Sequence, residues 1–209
     1  MGSKERRERE KTETRQLILE TARELFTKLG FEAVTMRMIA DKIEYSPTAI
    51  YVHFADKDSL MRELCALDFR SLSAAAVRAQ KVDDPRDRLR KIGRAYLEFA
   101  VDHPNSYMLL FMRRHERKAL EKEEFDDPER SAYAMLKVNV QYAIDRGAFH
   151  ADHHDADEAA QLMWSGLHGL ISLHLAMQND GKVPWKPLRK MAEQMMDLLL
   201  AGFSRALPS

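Results

Sequence analysis

The sequence predicts an all-α protein with a three-helix head, a linking helix and a helical body, about nine helices in total. Apolar residues recur at intervals of three and four along most of the chain, which is the period of a helix buried on one face. No stretch alternates apolar and polar residues as a half-buried strand does. Residue types that start or stop helices stand at the ends of the periodic segments, as Gly30, Pro85 and Pro187 do.

Charge and cysteine content narrow the class of protein. The chain has 209 residues, with 33 Lys and Arg against 33 Asp and Glu, so a basic surface must come from arrangement rather than from net charge. A single cysteine, Cys65, rules out an intramolecular disulfide framework and fits a reducing cytosol. The N-terminus has no apolar signal-peptide core, and no apolar run is long enough to span a bilayer. We expect a soluble cytoplasmic protein with no membrane contact.

The first helix is predicted to begin at Thr14 and to end at Gly30, with an apolar stripe between them. Residues 1–11 are charged and have nothing to bury, so we expect a flexible tail there. Basic side chains of this tail offer contacts to a phosphate backbone, although a solvated tail is the simpler interpretation. They are Lys4, Arg6, Arg7, Arg9 and Lys11.

The stretch from Thr35 to Met61 predicts two short helices joined by a tight turn, followed by a new helix start. Thr35 is a favourable N-cap for the first helix. Ser46 caps the second, which runs from Pro47 to Val52 with Ile50 as its inward anchor. A helix this short is not stable alone and must be held by neighbours. Its outward residues are small, which suits a helix that lies in a DNA major groove.

This stretch resembles the N-terminal helix-turn-helix of the TetR family of bacterial transcriptional regulators. The matching residues follow in the right order without a gap: Thr35, Ile39-Ala40, Ser46, Ile50-Tyr51, His53-Phe54, Lys57 and Leu60. The family usually has glycine in the turn between the two helices, whereas this chain has Glu44. Because a non-glycine residue in a left-handed conformation costs about 1 kcal/mol, we expect a slightly altered turn.

The resemblance implies a DNA-binding site with two kinds of contact. Donors to phosphate would be Thr35, Arg37, Tyr51, His53 and Lys57. Residues facing the base edges would be Ser46, Pro47, Thr48 and Ala49. The chemistry agrees, since hydroxyl, imidazole and ammonium groups bind phosphate and small side chains permit close approach to the bases.

The resemblance also implies a homodimer, formed by the last two helices, on a palindromic operator. One head reads too few base pairs for genomic specificity, and a dimer pairs two half-sites. Small residues on these helices permit close helix packing. They are Ser165, Gly166, Gly169, Ser172 and Gly202. Burial of the two helices within one chain is the alternative.

The segment from Trp164 through Gly166 and His168 to Leu170 resembles a Trp/His/Gly pattern in the C-terminal domain of one TetR subgroup. The family implies a small, often apolar inducer bound in this body. Candidate lining residues are Tyr96, Phe99, Met108, Phe111, Met112, Tyr133, Leu136, Met163, Trp164 and His168. Ordinary core packing is the alternative for each of them.

A histidine-rich segment, HADHHD at residues 150–155, invites a metal hypothesis. Its imidazoles belong to His150, His153 and His154. The spacing matches no established zinc or nickel site, and no thiolate accompanies it. We therefore predict solvated loop histidines, with neither a metal nor a cofactor.

Together these patterns predict a ligand-responsive transcriptional regulator, most simply a repressor. We place a tail at residues 1–11, the DNA-binding domain at 12–61 and the ligand-binding and dimerisation domain at 62–209. One alternative is a ligand-independent or metal-responsive DNA binder. Another is an all-helical enzyme that uses the body pocket, although no nucleophile–base pair, paired carboxylates or phosphate loop stands at the required spacing.

Overall fold

The computed structural model describes residues 3–112, 127, 131–178 and 180–205, and among them it contains nine α-helices and no β-strand. The helices are α1 (Ser3–Leu29), α2 (Met36–Lys42), α3 (Pro47–Tyr51), α4 (Lys57–Ala79), α5 (Pro85–Asp102), α6 (Pro104–Tyr107), α7 (Ala132–Asp145), α8 (Ala156–Met177) and α9 (Leu188–Phe203). A π-helical turn, Met108–Met112, follows α6. The predicted all-α class is confirmed. Over the described ranges, no helix combines the length and hydropathy needed to cross a bilayer.

The helices form two compact units. The first unit comprises Met1–Asp68 and His103–Phe111, and the second comprises Phe69–Asp102 and Met112–Ser209. The boundary predicted between residues 61 and 62 differs from this division, which falls further along α4. The first unit also takes residues 103–111, which the sequence analysis assigned to the body.

The reason for this difference is a buried carboxylate in the first unit. The Asp68 side chain is 4% exposed and lies 2.6 Å from the guanidinium of Arg23. The Ser106 hydroxyl donates to Asp68 at 2.6 Å, and His103 Nδ1 lies 3.4 Å from the same carboxylate. Because a buried carboxylate requires such partners, Asp68 fixes the start of α6 against α1 and α4. Contacts between residues so distant in sequence leave no local pattern.

Local capping holds the helix-turn-helix as the sequence predicts. The Thr35 hydroxyl accepts a hydrogen bond from the Met38 N–H, and the Ser46 hydroxyl accepts one from the Ala49 N–H, each at 3.2 Å. These bonds satisfy N–H groups that have no partner within a helix's first turn. Both predicted N-caps are therefore confirmed. Ile50 is fully buried and anchors α3 to the head core.

Helix α1 begins at Ser3, where the sequence analysis predicts a tail. Residues 4–13 are exposed, so burial does not explain this helix. Arg6 lies 3.4 Å from Glu10, and Arg9 lies 3.8 Å from Glu13, at a spacing that supports helices. The buried part of α1 also supplies a helix that is already formed, so residues 3–13 only extend it. They avoid the formation of a first turn, which is the unfavourable step for an isolated helix.

The helices of the second unit agree with most of the predicted boundaries. The Asp84 and Asp155 carboxylates cap α5 and α8 through backbone N–H groups, as predicted. Helix α7 is capped by Ser131, three residues beyond the predicted start at Pro128, which lies outside the described residues. The predicted helix from Ser106 to Lys118 can be compared only as far as Met112.

Candidate functional site

The first unit presents a polar surface made by the start of α2 and the outer face of α3. Thr35, Arg37, Ser46, Pro47 and Thr48 are exposed, while Ala49 is half-buried. Tyr51 is 53% exposed although its neighbour Ile50 is fully buried. The short helix thus turns its small side chains outward while its aliphatic anchor packs inward.

The capping hydroxyls of Thr35 and Ser46 can still donate a hydrogen bond to a ligand. Each hydroxyl uses an oxygen lone pair to accept from a backbone N–H. Its own proton is a separate donor that rotates about the C–O bond. The same groups that fix the two helix starts can therefore donate to a phosphate oxygen.

The turn between α2 and α3 contains a left-handed residue, whereas the sequence analysis expects a turn altered by the missing glycine. Glu44 has φ +58° and is the one non-glycine residue with positive φ in the described part of the chain. The Tyr45 N–H donates to the Ala40 carbonyl at 3.0 Å and closes the turn. The turn therefore adopts the conformation that favours glycine without having one, at a cost of about 1 kcal/mol.

His53 follows α3 and is half-buried. Its Nδ1 atom is buried without a hydrogen-bond partner among the described residues. Burial, followed by the positive charges of Arg15 and Lys11, lowers the pKa of His53 below its ordinary value of 6.5. A neutral ring with its proton on Nε2 avoids a buried N–H without an acceptor. His53 can then donate one hydrogen bond from Nε2.

Lys57, a predicted phosphate contact, is engaged within the head. Its ammonium donates to the carbonyl oxygens of Phe31 at 2.8 Å and Val34 at 2.9 Å, and lies 3.5 Å from that of Glu32. It also lies 4.3 Å from the centre of the Phe31 ring. An ammonium has three N–H donors, so these three carbonyl oxygens can accept all the hydrogen bonds that Lys57 donates. Lys57 thereby fixes the segment that leads into Thr35.

Arg15 is a residue of this site that the sequence analysis missed. Its guanidinium donates to the His53 carbonyl at 2.8 Å and binds the Glu63 carboxylate through two nitrogens. It also lies 4.3 Å from the centre of the Phe54 ring. Arg15 therefore joins α1 to the turn after α3. Its position just before the apolar stripe of α1 was the available signal, but its partners are distant in sequence.

The second unit contains a cavity of about 40 Å³ among α4, α5, α7, α8 and α9. Predicted lining residues in its wall are Tyr96, Leu136, Met163 and Trp164. The remaining wall residues are Leu72, Leu89, Ile92, Gly93, Ala132, Met135, Leu167 and Met196. Such a volume holds a few water molecules. The wall is almost entirely apolar.

Other predicted lining residues lie outside this wall. Phe99 is buried but is not part of it. Met108 and Phe111 belong to the first unit, and the Met112 side chain lies outside the described residues. Tyr133 packs against Trp164 with ring centres 5.9 Å apart. Burial, then its hydrogen bond to Asp157, raises the pKa of Tyr133.

A hydrogen-bonded relay joins Trp164, Tyr96 and His168 at one side of the cavity. Trp164 Nε1 donates to the Tyr96 hydroxyl at 3.1 Å, and this hydroxyl lies 2.9 Å from His168 Nδ1. Burial lowers the pKa of His168 below its ordinary value of 6.5, which favours the neutral ring. Since the tryptophan N–H is only a donor, the tyrosine proton can point to His168 Nδ1. The Trp164 N–H, the Tyr96 hydroxyl and His168 Nδ1 are therefore hydrogen-bonded within this group.

Gly93 and Met196 are wall residues that the sequence analysis missed. A Cβ atom on Gly93 would lie 2.7 Å from both Sδ and Cε of Met196. Glycine in the middle of amphipathic α5 was the available signal, because it often marks a close approach. Met196 occupies the space that glycine leaves, and its flexible side chain can change its rotamer.

The predicted small-residue patch on α8 and α9 divides into two parts. A Cβ atom on Gly166 would lie 3.1 Å from Leu199, so Gly166 serves packing within the chain. Gly169 and Gly202 have no atom within 4 Å of such a position. Large apolar side chains on the same two helices are exposed: Leu162 by 50%, Leu173 by 53% and Leu198 by 71%.

The histidine segment makes contacts within its own unit. His150 Nδ1 lies 3.3 Å from the Asp152 carboxylate. His153 Nε2 lies 3.1 Å from the Arg205 carbonyl and packs edge-on against the Phe203 ring. Within the described ranges, no group of three or more His, Cys, Asp or Glu residues could hold a metal ion.

Comparisons with known proteins match both parts of this chain. The family described as bacterial regulatory proteins, tetR family, matches residues 18–64. The family described as tetracyclin repressor-like, C-terminal domain, matches residues 89–199. The HTH-type transcriptional repressor Rv1474c of Mycobacterium tuberculosis is 36% identical over 75 residues, which span 36% of this chain and 40% of that relative.

Two solved structures share the fold. A Rhodococcus sp. RHA1 protein of unknown function superposes with a TM-score of 0.72 at 23% identity, covering 91% of this chain and 95% of its own. The TetR family transcriptional regulator PfmR of Thermus thermophilus gives a TM-score of 0.64 at 24% identity, covering 90% and 99%. At these identities, the similarity shows the fold alone.

Proposed function

The chain belongs to the TetR family of bacterial transcriptional regulators, and from this premise we propose that it is a dimeric repressor that binds a palindromic operator. The observation that carries the proposal is the construction of α3. Ser46 caps it, Ile50 anchors it in the core, and Pro47 and Thr48 are exposed. A rigid helix with a small outer face can approach base edges closely.

We propose that Thr48, Ala49, Ser46 and Pro47 face the bases while side chains around them bind phosphate. Thr35, Arg37 and Tyr51 are exposed donors, and neutral His53 supplies one N–H. Because long bidentate side chains are scarce here, specificity rests on thymine methyl contacts and DNA shape as well as on hydrogen bonds. Lys57 enters this proposal through the Val34–Thr35 segment that it holds.

We propose that α8 and α9 form the homodimer interface. The support is the exposed side chains of Leu162, Leu173 and Leu198, together with the open space beside Gly169 and Gly202. Large exposed leucines on two helices that pack against each other are suited to an association surface. A twofold pairing would place two heads on one duplex, as an inverted repeat requires.

We propose that the cavity binds a small, largely apolar inducer that releases the operator. Its wall is almost entirely apolar, and the Trp164 N–H and the Tyr96 hydroxyl are already hydrogen-bonded to Tyr96 and to His168 Nδ1, respectively. A ligand larger than a few water molecules requires Met196 to move. Operator release then follows if the ligand binds the DNA-competent conformation less tightly than another conformation.

The small volume of the cavity supports a second candidate, a repressor that does not respond to a ligand. It would bind the same operator in every condition. The metal-responsive alternative gains no support from the part of the chain that the structure describes. The enzyme alternative fails, because the matching families and the named relatives are transcriptional regulators.

The role of α3 can be tested by placing the same negative charge at two exposed positions. Thr48→Glu puts a carboxylate on the face of α3, and Val138→Glu puts one on the exposed surface of α7. Against duplexes enriched by the wild-type chain, we expect Thr48→Glu to lose at least about tenfold in affinity, a cost of about 1.4 kcal/mol. Val138→Glu should bind like wild type. Equal binding by both variants would exclude α3 as the reading helix.

A further inference from the structure

The first three turns of α1 carry basic residues outside the segment that matches the tetR family description. That segment begins at residue 18, whereas α1 begins at Ser3. Residues 4–13 are exposed along their whole length. They form a continuous helix with the buried part of α1, so the direction in which each side chain points is set by the helical period of 3.6 residues.

The basic residues divide between two faces of this helix. Arg6 and Arg9 lie on one face, where the carboxylates of Glu10 and Glu13 neutralise them at 3.4 and 3.8 Å. Lys4, Arg7, Lys11 and Arg15 lie on the other, at the spacing i, i+3, i+7, i+11. We call Lys4, Arg7 and Lys11 the basic stripe. Within the described residues these three side chains form no ion pair, and Glu8 lies at the edge of their face.

The basic stripe lies on the same side of α1 as the head core. Its line continues through Arg15 to Ile18 and Ala22, both fully buried in that core. Arg15 donates to the His53 carbonyl at 2.8 Å. The charge of Lys11 also reaches His53, whose pKa it helps to lower. The stripe therefore starts beside the turn after α3 and runs away from it along α1.

We propose that Lys4, Arg7 and Lys11 bind the sugar–phosphate backbone of the duplex that flanks the half-site read by α3. This inference rests on the proposed function, to which it adds a second, sequence-independent contact surface. From Arg15 to Lys4 the helix extends about 16 Å, at 1.5 Å per residue. The backbone presents one charge per 3.4 Å of axis on each strand, so such a length can follow several phosphates.

The division of charges explains why net charge conceals this surface. The acidic residues neutralise the face of Arg6 and Arg9, while the face towards His53 keeps its positive charge. Backbone contacts of this type supply affinity and salt dependence, whereas sequence discrimination stays with α3.

Two double variants with the same change of net charge test the inference. Arg7→Gln with Lys11→Gln removes two charges from the basic stripe, and Arg6→Gln with Arg9→Gln removes two from the opposite face. Arg15 is left intact because it binds Glu63 and the His53 carbonyl. Affinity for the enriched operator is measured in full-length protein between about 0.05 and 0.2 M salt, with helix content and thermal unfolding of both variants as folding controls.

We expect the stripe variant to have a shallower dependence of log K on log salt, by about 0.9 for each phosphate that the protein no longer neutralises. The opposite-face variant should keep the wild-type slope, and both should keep the wild-type operator preference. Equal slopes for wild type and the stripe variant, with operator preference intact, would contradict the inference that the basic stripe binds the DNA backbone. The proposed function would remain in place. If the wild-type chain enriches no operator, the proposed function fails and the stripe fails with it.

Discussion

The Lys57 ammonium lies 2.9 Å from the carbonyl oxygen of Val34, the residue before the N-cap of α2. With the Phe31 carbonyl and ring, this contact ties the first turn of α4 to the connection between α1 and α2. The position of Thr35, a proposed phosphate donor, is therefore coupled to the start of α4. Lys57 acts on the surface by positioning it.

Replacement of Lys57 by Met should lower the free energy of unfolding. It removes charge-assisted hydrogen bonds to two carbonyls, with an expected cost of about 1–3 kcal/mol in chemical denaturation. Arg37→Met is the matched control, because that side chain is 82% exposed and its ion pair with Asp41 is 3.7 Å long. The control should change stability by less than about 0.5 kcal/mol. Unchanged stability of Lys57→Met with a shallower salt dependence of DNA binding would instead support the direct phosphate clamp.

Replacement of Glu44 by Gly should stabilise the protein by up to about 1 kcal/mol. Glycine adopts the left-handed conformation at φ +58° without a Cβ penalty, although it also increases the entropy of the unfolded chain. Glu44→Ala retains the Cβ atom and should show no such gain. The stabilities of wild type, Glu44→Gly and Glu44→Ala are compared by their denaturant midpoints. If Glu44→Ala is stabilised as much as Glu44→Gly, the effect comes from removal of the glutamate charge rather than from the backbone conformation.

Replacement of Met196 by Ala should enlarge the cavity and create affinity for small apolar molecules. Loss of a buried methionine side chain is expected to lower the free energy of unfolding by about 2–5 kcal/mol. Indole, as a probe, should raise the melting temperature of this variant more than that of wild type, since binding to the folded state stabilises it. Val138→Ala, at a position on α7 that is 48% exposed, should respond as wild type does. Equal indole shifts in all three proteins would show that Met196 does not close the cavity.

The stability of the second unit should fall as pH drops below about 6.5. Burial lowers the pKa of His168, so the unfolded chain binds the proton more tightly than the folded chain does. The free energy of unfolding that depends on neutral His168 is therefore fully present above pH 6.5, the ordinary pKa of histidine. It is lost as pH falls towards the lower pKa that His168 has in the folded chain. His168→Gln should therefore make stability less dependent on pH between about 7 and 5. An identical pH profile for wild type and variant would contradict a half-buried His168 that is neutral in the folded chain.

Replacement of Leu198 by Glu should convert the proposed dimer to a monomer. The side chain is 71% exposed in the single chain, and a charge buried without a partner at an interface is costly. Sedimentation equilibrium measures the change in mass. Val138→Glu, which has the same new charge on exposed α7, should remain dimeric. Dimers of both variants at equal concentration would place the interface elsewhere.

The sequence allowed the local features of the head to be predicted. N-caps at Thr35 and Ser46 and burial of Ile50 each depend on residues close in the chain, and the structure confirms them. The turn at Glu44 was expected to be altered, yet it keeps the left-handed conformation. The charged composition of residues 1–11 predicted a flexible tail, but residues 3–11 are helical. They continue the buried part of α1, and this continuity stabilises the helix although its first turns are not buried.

The partners of long side chains were not predictable from the sequence. Lys57 binds the carbonyls of residues that lie 26 and 23 positions earlier in the chain. Arg15 binds His53 and Glu63, which lie 38 and 48 positions later. The capacity of Asp68 to hold residues 103–111 in the head likewise depends on tertiary proximity. Aromatic residues of the body were expected around a pocket, yet only the fold separates the wall residue Tyr96 from buried Phe99.

The central claim is that this chain reads a palindromic DNA operator as a dimer. Its most direct test is the selection of bound duplexes from a random DNA pool by the full-length protein, followed by sequencing. We expect an inverted repeat whose half-site centres are about one helical turn, or a multiple of it, apart, and no such enrichment with Thr48→Glu. Weak, salt-labile retention of duplexes with no enriched sequence would contradict the account.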